Sequence, residues 1–230
     1  AVEGRIAKAL ASRKSEIEQP GPICLIAVSK NHGIEVVEEA LEAGLAVFGE
    51  NRVQEALPKI EHIGAKALWH LIGHLQTNKA KQIVGKVALI HSVDSERLLQ
   101  QIEQEAAKQD VFQDVLLQVN VSGEESKFGM EPDAVWSLSR QADQWPHVRI
   151  KGLMTIAPLA EDVDSVRPVF QEAYKLFAAL RAAALPRCEW QWLSMGMSND
   201  FEVAIQEGAN MVRVGTALFG ARQYAPKEEG

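Results

Sequence analysis

The chain has 230 residues, 47% of them apolar and 24% charged, the proportions of an ordinary folded globular protein rather than a disordered one. A net charge of −7 denies nucleic-acid phosphates the cationic surface they need, so nucleic acid is excluded as a partner, whereas a small anion held by a few local donors is not. Apolar runs such as CLIAV are strand-length, far short of the roughly 20 residues of a spanning helix, which excludes a membrane protein; Cys24 and Cys188, without metal-type spacing, read as reduced thiols of a cytoplasmic protein.

The opening stretch, AVEGRIAKALASRKSEIEQ, alternates charge at helical spacing and lacks the apolar core of a signal peptide, so it is expected to form a surface helix. Strand-like runs then follow at 23–30, 46–49, 67–73, 87–92, 114–121, 148–157, 190–195 and 210–215. Amphipathic runs separate them at 34–43, 52–62, 76–84, 94–108, 131–143, 164–184 and 199–208, with a short one from 216. Nearly continuous apolar strands imply burial on both faces. Eight such βα units in so few residues predict a single (β/α)8 TIM-type barrel with an extra N-terminal helix, one domain over residues 1–230. An open doubly wound sheet is the competing arrangement, but no GxGxxG follows the first strand. SGEESKFGMEP, after the fifth strand, is the most loop-like segment and is expected to be mobile.

Barrel sites lie at the carboxyl ends of the strands, and polar residues collect there. Lys30 closes the first strand, Asn51 follows the second, His70 lies in the third, Met154 and Thr155 in the sixth, Ser194 and Ser198 flank the end of the seventh, and Arg213, Gly215 and Thr216 close the eighth. Singly, each has a plain structural reading: a strand-end lysine is usually solvated, and His70 is equally a hydrogen-bonded core histidine. His70 and His74 have the spacing of a helical metal pair, but strand and turn residues do not project together, so no zinc site is expected. Glu50, Glu55 and Asp200 are expected to cap helices or pair with neighbours.

Two adjacent small-residue turns, SMGMSND and VGTALFG, make a stronger signal, because each opens a helix where backbone N–H groups attract an anion. Loops after strands seven and eight are also the usual phosphate site of such barrels. Alternation places Ile26, Val28 and Lys30 on one face and Met211, Arg213 and Gly215 on one face, so a turn that aims Gly215 at the site also turns Arg213 inward. A buried guanidinium requires an acceptor.

The segments AVSK (27–30), FGENRVQE (48–55), WHLIGHLQTNK (69–79), HSVDS (91–95), QVNVSGEESKFG (118–129), GLMTI (152–156), LSMGMSND (193–200) and VRVGTALFGAR (212–222) together resemble the YggS/PROSC family of pyridoxal phosphate (PLP) homeostasis proteins, related to the N-terminal barrel of alanine racemases. They run in order through nearly the whole chain. The resemblance implies a PLP fold type III barrel without the C-terminal β domain, with Lys30 carrying PLP as an internal aldimine. It further implies phosphate contacts from Ser194 or Ser198 and from the backbone around Gly215 and Thr216, Asn51 near the cofactor, and Arg213 facing the pyridine nitrogen. His74 stands where several relatives carry proline, and Asn199 where some carry aspartate.

A guanidinium keeps its proton at ordinary pH, so Arg213 would leave the pyridine ring unprotonated and a weak electron sink. The expected role is therefore a non-catalytic PLP carrier in vitamin B6 and amino-acid homeostasis, serving apo PLP-enzymes or docking a regulatory protein. An amino-acid racemase is the enzyme alternative. The related racemases need a tyrosine from a second domain, and here only Tyr174, in a predicted outer helix, and Tyr224, in the tail, are available, so a monomer without that base is expected.

Overall fold

The computed structural model describes residues 2–17, 21–121, 123 and 128–220. Residues 122 and 124–127 of the loop expected to be mobile, and the tail carrying Tyr224, lie outside the described residues.

Eight parallel strands close into a barrel in sequence order, the last pairing with the first. They are β1 (Cys24–Val28), β2 (Val47–Glu50), β3 (Leu68–Leu71), β4 (Leu89–Val93), β5 (Gln113–Gln118), β6 (Val148–Met154), β7 (Cys188–Met197) and β8 (Met211–Val214). The helices are α1 (Val2–Ala11), α2 (Ile34–Glu42), α3 (Val53–Ile63), α4 (Ala80–Ile83), α5 (Glu96–Gln109), α6 (Pro132–Arg140), α7 (Arg167–Ala182), α8 (Phe201–Gln206) and α9 (Thr216–Phe219). The strands carry apolar residues on both faces because both are covered. Outward residues such as Ala27, Phe48, Leu71 and Val115 pack against the helices, while Ile26, Leu89, Leu116, Met154 and Met211 fill the barrel interior.

The predicted surface helix forms as α1 but ends at Ala11, and it docks on α8. Arg5 pairs with Glu202 at 2.6 Å and lies over the Phe201 ring, while Arg13 Nε donates to the Ile205 carbonyl at 2.7 Å. The run 76–84 is not one helix but a 3-10 turn at Thr77–Lys79 followed by the single turn of α4. In the run 164–184, α7 starts only at Arg167, with proline at its first turn, where the missing N–H is no loss. Gly152 marks an irregularity between β6 and β7. It sits at φ +151°, and a Cβ there would lie 1.8 Å from the Trp192 carbonyl oxygen, so the two backbones approach as only glycine allows.

Candidate functional site

A cavity of about 530 Å³ opens at the carboxyl ends of the strands. Six residues singled out from the sequence border it: Lys30 after β1, Asn51 after β2, Ser198 after β7, and Arg213, Gly215 and Thr216 at and after β8. Lys30 stands two residues beyond β1 rather than within it, because the chain turns at once: His32 N–H donates to the Ser29 carbonyl at 3.1 Å and Asn31 adopts φ +62°. Asparagine tolerates that left-handed backbone better than most residues.

The two small-residue turns meet at Ser198, whose Oγ accepts from Gly215 N–H at 3.1 Å and from Ala217 N–H at 3.4 Å. A hydroxyl has two acceptor lone pairs and one proton, so with both lone pairs engaged Ser198 presents its O–H as a donor. Asp200 anchors the first turn by accepting from Met197 N–H at 2.5 Å. Its carboxyl is pushed up by burial, against that hydrogen bond and the nearby Arg213 charge.

The other three predicted residues do not border the cavity. Met154 is part of the apolar barrel filling. His70 and Ser194 belong to a buried hydrogen-bonded chain beneath the cavity floor. Arg213 Nη1 donates to Ser194 Oγ at 2.6 Å and Nη2 to the Thr155 carbonyl at 2.9 Å. Ser194 Oγ meets His91 Nδ1 at 3.0 Å, and His91 Nε2 meets His70 Nδ1 at 3.0 Å.

Arginine can only donate, so Ser194 accepts at that end of the chain. Between Ser194, His91 and His70 the direction is set by the histidine tautomers, since the Ser194 hydroxyl can donate to His91 Nδ1 or accept from it. Both imidazoles are held neutral: burial brings His70 from 6.5 down to about 4, and burial together with His70 and Arg213 holds His91 well below the ordinary range. Burial also lowers Arg213 to about 10, opposed by Asp200, so the guanidinium is still charged at neutral pH. His91 was not selected from the sequence. Its signal was alternation, since it follows Leu89 on the inward face just as Arg213 follows Met211.

A second buried cluster fixes the turn that carries Lys30. Lys59, reaching in from α3, donates to the Ser29 carbonyl at 2.8 Å and to Glu50 Oε1 at 2.6 Å. Ser29 Oγ donates to the same carboxylate oxygen at 2.7 Å, while Glu50 Oε2 is buried without a hydrogen-bond partner among the described residues. Glu55 Oε2 accepts from Asn31 N–H at 3.2 Å. Glu50 and Glu55 thus pair with neighbours. Lys59 carried no sequence signal, because an α3 lysine reads as solvated until the helix is seen to press it onto β1 and β2. His74 stands at the cavity mouth, 3.0 Å from Asp94 and stacked on Phe128 at 4.5 Å, well apart in role from the buried His70.

The family model described as "Alanine racemase, N-terminal domain" matches residues 6–223. A pyridoxal phosphate homeostasis protein of Aquifex aeolicus is 48% identical over 204 residues, covering 87% of each chain. This chain belongs to the pyridoxal phosphate homeostasis protein family. Another similar structure is PipY of Synechococcus elongatus, solved with PLP bound, which is 40% identical with a TM-score of 0.80 and covers 94% of this chain and 100% of that one. The alanine racemase of Corynebacterium glutamicum shares the fold at 20% identity and a TM-score of 0.67, this chain spanning 64% of its length. The family's barrel is therefore the one described above, and Lys30, Arg213 and the Ser198–Gly215 turns are how this chain furnishes its cavity.

Proposed function

We propose that this chain binds PLP in the cavity at the strand ends and acts as a cytoplasmic carrier of the cofactor rather than an efficient enzyme. The observation that carries the reading is the convergence of Lys30, Arg213 and the Ser198–Gly215 turns on one cavity. The donor set fits the group: a primary amine for an aldehyde, a hydroxyl proton and a glycine turn for a phosphate, and a permanently protonated guanidinium for an aromatic nitrogen acceptor. When bound, PLP supplies an aldehyde that condenses with a primary amine. Lys30 provides that amine from a turn held on both sides by hydrogen bonds. Ser198 donates its hydroxyl proton, and Thr216 lines the same end of the cavity. Asn51 flanks the amine from the β2 side.

Arg213 supports the carrier reading over the racemase one. It donates and does not surrender its proton, and its plane is fixed by Ser194 and Thr155. Arg213 would hold the ring nitrogen of PLP as a hydrogen-bond donor that keeps its own proton, so the ring would not become a pyridinium. Tyr174 does not border the cavity either. It lines a smaller one, outside the barrel, with Phe177 and Arg181 of α7. The carrier reading extends to delivery toward apo PLP-enzymes or contact with a regulatory protein.

The test is the absorption spectrum of the purified protein with PLP before and after borohydride reduction, with the modified peptide identified by mass. The expected result is a phosphopyridoxyl group on Lys30, and no reducible yellow absorbance in a folded Lys30→Ala variant. Modification centred on another lysine would overturn the assignment.

A further inference from the structure

Among the described residues, six large apolar side chains are exposed, and four of them, Phe128, Ile156, Leu159 and Met197, border the cavity. They come from the end of β7 and from the segments after β5 and β6. Lys30, Asn51 and the Gly215 turn come from the segments after β1, β2 and β8, with Ser198, from the neighbouring end of β7, accepting from Gly215 N–H. Gln118, His74, Asn199 and Asp200 line the cavity as well, so the four apolar side chains form an apolar patch on its wall. Apolar surface gathered at one concave place, rather than scattered singly, marks a binding function.

The patch is held in position. Phe128 is 62% exposed, yet its carbonyl accepts from Gln118 Nε2 at 3.2 Å and its ring stacks on His74, itself fixed by Asp94. An aromatic residue held by its backbone carbonyl and by ring stacking while facing solvent is preorganised to cover something it does not cover among the described residues. A cavity of about 530 Å³ lies in the range that encloses a drug-sized ligand, and a phosphorylated pyridine is smaller than that.

We infer that this patch is a subsite for the apolar substituent of a primary amine joined to the cofactor in place of Lys30. The inference rests on the PLP reading and names the class of amine that the site accepts. In the exchange, the amine nitrogen takes over the carbon–nitrogen double bond that Lys30 Nζ releases, its two N–H protons pass to Lys30 Nζ, which leaves as a free amine, and no oxidant or water is consumed. A carboxylate on the substituent would lose its water against Phe128 and Leu159, whereas an aliphatic group gains by the same contact.

Three stable probes, PLP reductively joined to methylamine, isoamylamine and β-alanine, test this without any reaction, by calorimetric titration of the cofactor-free protein. Isoamylamine and β-alanine differ by an isopropyl group against a carboxylate of similar shape. The isoamylamine probe is expected to bind about tenfold tighter than the methylamine probe, and tighter again than the β-alanine probe. Phe128→Ser with Leu159→Ser should abolish that preference and leave the methylamine probe unchanged. Leu159→Ser alone, at a side chain 88% exposed and so without effect on folding, should reduce the preference in part. Equal binding of all three probes, or a preference that survives both substitutions, overturns the subsite while leaving the PLP reading intact. A methylamine probe that does not bind at all overturns the PLP reading and the subsite with it.

Discussion

His70 shows how one buried side chain couples the barrel interior to pH. Its folded-state pKa of about 4 lies below the ordinary 6.5 of the unfolded chain. Between those values the unfolded chain binds a proton that the folded one refuses, so this contribution is fully present above about pH 6.5 and is lost as pH falls toward about 4. A separation of two to three units is worth about 3 kcal/mol. His91 acts in the same direction, because burial, His70 and Arg213 all disfavour its charged form. Urea unfolding of the cofactor-free protein at pH 7 and pH 4.5 should show the loss, and a His70→Gln variant should show a shallower dependence. An equal slope in both proteins would mean that carboxylates elsewhere govern the acid limb.

At the scale of elements, two devices hold the ligand-facing turns, and each makes a prediction. Lys59→Met removes the cation from a carboxylate that is fully buried, and breaking one side of such a pair costs about 3 to 5 kcal/mol. The same change leaves His32 N–H as the remaining donor to the Ser29 carbonyl, so the thermal unfolding midpoint should fall sharply and PLP retention should fall with it. Lys59→Met with Glu50→Leu should recover much of the stability, since an apolar pair leaves no uncompensated charge. The Ser198–Gly215 junction predicts a ligand-specific effect instead. Ser198→Ala with Thr216→Ala should weaken PLP retention far more than pyridoxal retention in equilibrium dialysis, because pyridoxal has no phosphate to lose. Equal losses would place the phosphate elsewhere.

Elements were the level most legible in the sequence. The eight apolar runs became the eight strands because parallel strands covered on both faces need no polar alternation to betray their period. Boundaries were less legible: Lys30 left β1 because the Ser29 carbonyl is capped by Lys59 and by His32 N–H, contacts from a helix and a turn that no strand pattern encodes. The cavity residues with a turn signature, Ser198, Gly215 and Thr216, could be read locally. His91 and Lys59 could not, since their roles come from partners 103 and 9 residues away in the chain.

Across the whole molecule, the proposed carrier role places the division between holding a cofactor and using it on Arg213. General acid–base groups contribute roughly 10² to 10⁴ in rate, so on that proposal a ring-facing group that keeps its proton, with Tyr174 on the outer side of the barrel, is expected to leave turnover inefficient. Incubating the PLP-loaded protein with L- and D-amino acids in deuterated water should give no α-carbon exchange above that of free PLP. Rapid stereospecific incorporation that disappears in Lys30→Ala would instead establish an enzyme with Lys30 as its base.

Closure of β1 against β8 has a consequence for the order of events in the cell. Ile26 sits in register with Arg213, so neighbouring parts of the cavity wall are contributed by opposite ends of the barrel sequence. A ribosome-bound chain that has emerged only through β7 holds Lys30 but neither the guanidinium nor the glycine turn. Such a contact, made across almost the entire chain, is among the slowest to form. Vitamin capture therefore reports that synthesis has passed β8 and that the barrel has shut, and ligand added to a set of stalled nascent chains should be retained only once that last strand has cleared the exit tunnel.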